Sequence, residues 1–404
     1  MQFPKMPDST SRDLRVRDPE SNVLEFVAGC AVNADIYYLA AALGPGHEYY
    51  DPDPGPPTRM FVFGRTPEEE WFHHDLPDFQ VMSVQLVPEK NGHPRRVLAL
   101  DFYGQLEDYS RDGATTEYIS PEGPEFSGGL TALRRVGEDL FCCGVQGMIH
   151  HRSESGWKQL PTDFPSPERS SFEDDLDSLD FDTWLLYCGH IFELDGTAPL
   201  PTDPVEREAE LRRKFEETRS QLAHARKDPE HSKWLARLDV PSVNDLCGTG
   251  LKDLYAIGSE GLIAHWNGLN WTLPEQVTTV DLFHACRTDK GHLIFVGKEG
   301  AIVSGDIATG FELVQLDVSE GVDFSSACQY GQQIYLGTEA DGLYVYNLET
   351  GAVEPLREGI PEELRDATIV DISSAGNALW VLTPWDLLRF DGARWQVIVH
   401  PDNG

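Results

Sequence analysis

No stretch of this chain approaches the roughly 18–20 consecutive apolar residues that a helix needs to cross a bilayer. The opening MQFPKMPDSTSRDLRVRD also lacks the apolar segment of a secretory leader. The expectation is a cytoplasmic protein that stays off the membrane. Basic residues are scarce, with 32 Lys and Arg against 68 Asp and Glu and a net charge of −36 over 404 residues. A surface of that sign repels nucleic acid and anionic lipid, leaving a basic protein partner or plain colloidal solubility as its use. A disulfide framework is missing too. The seven cysteines (Cys30, Cys142, Cys143, Cys188, Cys247, Cys286 and Cys328) are odd in number, scattered and mostly inside apolar runs. They read as free buried thiols in a reducing compartment.

Signatures of chemistry are equally sparse. C-x-x-C, H-E-x-x-H and G-x-S-x-G are all absent, so neither a zinc site nor a nucleophile elbow is expected. His73-His74, His150-His151 and Cys142-Cys143 are adjacent pairs, and neighbours on a strand point to opposite faces. The Gly-x-x-Gly turns (Gly144/Gly147, Gly258/Gly261, Gly297/Gly300) join two apolar runs, with no Lys-Ser/Thr or helix after them, which rules out a phosphate loop. No cofactor, metal or catalytic residue is expected.

What the chain does contain is turns and repetition. With 36 Gly, 27 Pro, 40% hydrophobic and 10% aromatic residues it can bury a core and favours an all-β class. Asp253–Trp271 (DLYAIGSEGLIAHWNGLNW) sets the pattern of run, tight turn, run, polar turn and aromatic residue. Gly137–Trp157, Gly291–Phe311, Gly331–Gly351 and Gly376–Trp395 repeat it, with weaker copies at Arg96–Ser110 and Thr183–Gly196 and a stretched one from Ile36 to Gly64. A further apolar run precedes most copies: Leu24–Val32, Val81–Leu86, Leu130–Val136, Val243–Gly248, Val280–Cys286, Val322–Cys328 and Ile369–Ser374. Second strands begin near Ile36, Val97, Leu140, Leu185, Leu254, Leu293, Ile334 and Leu379, mostly about 40–45 residues apart, a spacing typical of β-propellers. The expected fold is a β-propeller of about eight four-stranded blades, with seven blades plus an irregular unit as the alternative. Residues 1–20 read as a polar lead-in and 21–400 as a single propeller domain.

One insertion interrupts the period. Asp203-Pro204 is a helix start, Glu206, Glu208 and Glu210 fill the first turns, and Leu211, Phe215 and Leu222 follow at helical spacing. This helical insertion (202–239) is far less acidic than the rest of the chain. It reads as a hairpin on the propeller rim or as an arm gripping a partner through residues such as Arg212 and Arg213.

The remaining candidates are acidic. Asp245, Asp281, Asp323 and Asp371 begin the first strands of four units, where equivalent positions would form a carboxylate ring at one channel mouth, with Cys247, Cys286 and Cys328 further along. Such a ring either bonds locally to turn amides and neighbouring blades or receives a Lys or Arg of a basic partner. Phe172–Asp182 adds Glu173, Asp174, Asp175, Asp177, Asp180 and Asp182, a solvated rim loop or a second contact for a basic surface.

At Ser153–Trp157, Asn267–Trp271 and Asp391–Trp395 the chain resembles the Asp-box (BNR-type) bacterial propeller proteins, although no copy meets the full Ser-x-Asp-x-Gly-x-x-Trp box. The resemblance implies a propeller scaffold without glycosidase activity. Bacterial propellers of this kind include immunity proteins made beside interbacterial toxins. The expectation is therefore a non-enzymatic, protein-binding propeller, monomeric when free, that occludes a basic, nuclease-like toxin domain. Its rivals are a hydrolase or lyase working at the channel mouth on a carbohydrate or small molecule, and a scaffold subunit of a larger assembly.

Overall fold

The computed structural model describes residues 24–44, 58–65, 70–76, 79–90, 92–120, 129–162, 164, 204–225, 240–314 and 321–403. It divides the chain into two compact units, Met1–Thr162 with Ser242–Gly404, and Asp163–Pro241.

The first unit holds, among the described residues, seven antiparallel sheets of four consecutive strands each. It is an all-β, seven-bladed propeller, the smaller of the two expected counts. The weak unit around Leu185 lies outside the described residues. The innermost strands of blades 1 to 7 are Leu24–Ala31, Val81–Val87, Leu130–Val136, Val243–Gly250, Leu282–Arg287, Phe324–Tyr330 and Asp371–Ala375. Each contacts the next, and the last contacts the first, so the strands close a ring around a central channel. The innermost strands begin at one face, called upper here. By antiparallel order, the turns between second and third strands and the ends of the outermost strands lie at that face as well.

The second strand of each blade is covered on both sides by neighbouring blades, so its sequence is a continuous apolar run instead of an alternating one. Leu254–Gly258, Leu293–Gly297 and Ala378–Leu382 are almost wholly buried. Gly144, Gly258 and Gly297 each end such a strand, and their role is space. A Cβ there would stand 1.8, 1.8 and 2.0 Å from the backbone oxygens of Gly129, Ser242 and Asp281. Positive φ falls instead on the turn residues that follow, including the non-glycines Gln146, Glu260 and Glu299 (φ 55, 57 and 55°).

The outer turns have a common cause as well. Asn267, Asp306, Asn347 and Asp391, in blades 4 to 7, each accept two backbone N–H bonds from residues two and three positions on. This side-chain turn explains the polar residue before the blade-end aromatics. Trp395 stacks on Phe390 (centroids 4.9 Å apart), and Trp271 lies 5.4 Å from Trp266 while its indole N–H donates to Pro161 O.

Among the described residues, no strand is shared between the first and last blades. Blade 1 meets blade 7 through a core of Leu24, Phe26, Phe63, Trp380 and Ile398, with Trp380 Nε1 donating to Asn33 O (3.0 Å) and Arg389 Nε to Ala34 O (2.6 Å).

In the second unit the helix Pro204–Ala225 starts at the proline expected to open it. Leu211 and Phe215 are buried one turn apart, and Arg212 and Arg213 are exposed. Arg213 is tied to Glu210 (Nε–Oε2 2.9 Å) and to Glu217.

Candidate functional site

The four aspartates expected to form one ring split into two pairs. In blades 1 to 6 one extra residue bulges near the start of the innermost strand, and this shifts the register. Asp281 and Asp323 therefore precede their strands at the upper face. Asp281 accepts Glu260 N (2.9 Å) and Lys298 Nζ (2.8 Å), and Asp323 accepts Glu299 N (2.8 Å). Each carboxylate thus bonds a positive-φ turn residue of the preceding blade.

Asp245 and Asp371 share a different place, just past the bulge position. Cross-strand pairing aligns them with Ala28, Ser83, Ala132, His284 and Ser326. Two residues deeper, the same register aligns Cys30, Cys247, Cys286 and Cys328 with Gln85, Arg134 and Ser373. Small side chains suit the crowding near the axis. Burial raises the Cys286 thiol to about 11 and the Cys328 thiol to about 12, so both stay protonated and unreactive.

Polar side chains of this region gather in the channel. Asp245 is fully buried, and its Oδ1 accepts Arg134 Nε (2.6 Å) and Leu246 N (2.8 Å) while Oδ2 accepts Ala285 N (2.8 Å). Arg134 also donates through Nη1 to Leu133 O (2.9 Å) and Ser83 Oγ (3.2 Å). His284 Nε2 approaches Asp245 Oδ2 at 3.7 Å. Asp371 Oδ2 accepts the Tyr37 hydroxyl (2.8 Å) and feels the charges of His284 and Arg134. Burial lowers the His284 pKa, with Arg134 acting the same way against Asp245 and Asp371. Burial raises Asp371, against the Tyr37 hydrogen bond and the neighbouring cations. Blades 1, 3, 4, 5 and 7 thus send ionisable groups to one cluster. Arg134, His284 and Tyr37 escaped the sequence reading because only the bulge-corrected register brings them together.

The other candidates stand apart. Glu173, Asp174, Asp175, Asp177, Asp180 and Asp182 lie outside the described residues. The paired histidines diverge as strand geometry requires: His150 is buried, whereas His151 Nε2 meets Asp139 Oδ1 (3.1 Å). Among the described residues no three His, Cys, Asp or Glu converge to hold a metal. At the upper ends of strands and turns stand the exposed Met82, Tyr103, Tyr118, Leu273 and Leu313, amid the acidic turns.

No family model matches the chain. It is similar to the immune protein Tsi7 of Pseudomonas aeruginosa, 26% identical over 151 residues, which covers 37% of this chain and 47% of that protein. The chain thus spans about half the length of the curated relative it matches. Among solved structures, the WD40 β-propeller domain of Doa1 superposes with a TM-score of 0.55 at 10% identity, covering 95% of both chains. YCF48 from Cyanidioschyzon merolae superposes with a TM-score of 0.51 at 11% identity, covering 95% of this chain and 97% of that one. At such identities these likenesses establish the propeller fold alone.

Proposed function

We propose that this propeller is a non-enzymatic, cytoplasmic immunity protein that binds and occludes a basic, nuclease-like toxin domain of an antagonistic system. The observation that carries the reading is the partial match to an immune protein. The net charge of −36 supports it, because a strongly acidic surface steers a basic partner into encounter. The upper face is the proposed contact. It combines exposed Met82, Tyr103, Tyr118, Leu273 and Leu313 with Glu260, Asp281, Glu299 and Asp323, and apolar anchors within a charged rim are the composition of a protein interface. Asp371 contributes from the channel below it, whereas Asp245, fully buried with both oxygens engaged, holds the blades beneath. The acidic run 172–182 and Arg212 and Arg213 of the helix are secondary contacts in this reading.

The test is co-expression with the toxin-like reading frame nearest this gene. The protein should restore growth, co-purify with the toxin domain, and lose at least about tenfold in affinity from 50 to 500 mM salt. Unchanged toxicity with no complex overturns the reading. The gathering of Asp371, His284 and Arg134 favours one rival, a hydrolase or lyase at the channel. That rival requires turnover of a carbohydrate or small molecule that disappears in Asp371→Asn, and its absence from a broad substrate panel removes it.

A further inference from the structure

We propose that the channel cluster is a binding site for one organic cation, a guanidinium or alkylammonium head, held by His284 and Asp371. The argument starts from hydrogen-bonding capacity. Both oxygens of Asp245 are engaged, by Arg134, Leu246 N and Ala285 N, so this carboxylate is framework. Arg134 is likewise committed, to Asp245, Ser83 and Leu133. The two form a neutral pair, and the charge left over is the carboxylate of Asp371.

His284 supplies the second half. Its Nε2 is the nitrogen nearest Asp245, and its Nδ1 is buried without any hydrogen-bond partner. A buried polar nitrogen left unmatched calls for a partner, which a bound ligand can supply. In the neutral tautomer that carries its proton on Nε2, the nitrogen 3.7 Å from Asp245, Nδ1 is an acceptor. The lowered pKa of this imidazole, set by burial, is consistent with the neutral form. Asp371, already accepting from Tyr37 and Ser373, keeps lone pairs to spare, since a carboxylate has about four acceptor sites.

An unmatched acceptor beside an uncompensated carboxylate selects a ligand that donates hydrogen bonds and carries one positive charge. An anion meets two aspartates and an arginine already neutralised. Solvent reaches the cluster, with the side chains of Arg134 and His284 28% and 22% exposed. Toward the upper face the bulge residue Phe283, next to His284 in the chain, offers apolar contact for an alkyl stem, and it already lies under Lys298 Nζ at 5.7 Å. The site stands or falls independently of the toxin reading, because a free metabolite and a partner's Arg or Lys present the same head group.

The experiment uses the full chain labelled with ¹⁵N-histidine and titrated with n-butylguanidinium, n-butylammonium and the neutral isostere n-butylurea. Binding should move the His284 Nδ1 resonance saturably with either cation. Butylurea should bind at least about tenfold more weakly, and protonating His284 at low pH should abolish the effect. Asp371→Asn, with an unchanged circular dichroism spectrum, should weaken cation binding by a similar factor. Should that variant not fold, the comparison of cation with urea in the unaltered protein decides alone. An arm with N-acetyl-Gly-Arg-Gly-amide separates the sources. Binding of the peptide identifies a side-chain socket, and binding of the free cations alone identifies a small-molecule site. Equal response to cation and urea, or none to either cation, overturns the proposal.

Discussion

At the scale of single residues, much of the sequence pattern is steric necessity. The glycine that closes the second strand in blades 3, 4 and 5 reads as a turn residue, yet it serves the close approach of two backbones. Gly258→Ala would place a methyl group 1.8 Å from Ser242 O and 2.9 Å from its carbonyl carbon, against backbone that cannot swing aside. Chemical denaturation should show a loss of about 3 kcal/mol or more. Titration is a second effect at this scale. Burial lowers His150 to about 4, so the unfolded chain takes up a proton before the folded one does. The stability contributed by neutral His150 is fully present above pH 6.5, the ordinary histidine pKa, and is lost as pH falls toward 4. Denaturation midpoints at pH 7 and pH 5 should therefore converge in His150→Leu, by roughly 2 kcal/mol relative to the unaltered chain.

At the scale of elements, the innermost strands show both how much the sequence disclosed and where it misled. Their positions, and those of the second strands, stand out as apolar runs because blades cover them on both sides. Register did not stand out. Aligning on aspartate groups Asp281 and Asp323 with Asp245, whereas the bulge puts His284 and Ser326 there. A better alignment was present in VNDLC, LFHAC and FSSAC (starting at Val243, Leu282 and Phe324), where apolar, bulge, polar, apolar and cysteine recur. A bulge adds one residue on one strand, and no composition or period reports it. The same alignment explains the Arg134–Asp245 bond, which joins blades 3 and 4. Arg134→Met would leave a buried carboxylate with amide donors only, and should cost about 3–5 kcal/mol. Adding Asp245→Asn should recover part of that loss in the same denaturation assay, because the stranded charge is then gone.

At the scale of the whole molecule, each sheet is a contiguous piece of chain, and the ring closes by side-chain packing and a few bonds between blades 1 and 7. Leu24 N donates to Asn403 Oδ1 (3.3 Å), which places the two ends of the propeller side by side. A circular permutant that links them with a short flexible segment and opens at the Asp289–Gly291 turn should keep its β-type circular dichroism and a cooperative melt. Loss of cooperativity would show that the order of blades along the chain matters to the closed ring.

That mode of closure has a consequence for the protein as it is made. On the ribosome, blade 1 emerges before the other six, with Leu24, Phe26, Phe61 and Phe63 prepared for a neighbour. The residues that cover them, Trp380, Leu382 and Ile398, belong to blade 7 and are translated only after the five blades between. At about 5–20 residues per second, the apolar flank of the first blade waits for tens of seconds, exposed to whatever else is nearby. The blades between can assemble in order of synthesis, each against the one before. The nascent propeller therefore runs its greatest risk of misassociation at its oldest blade, and the arrival of blade 7 is the step that ends it.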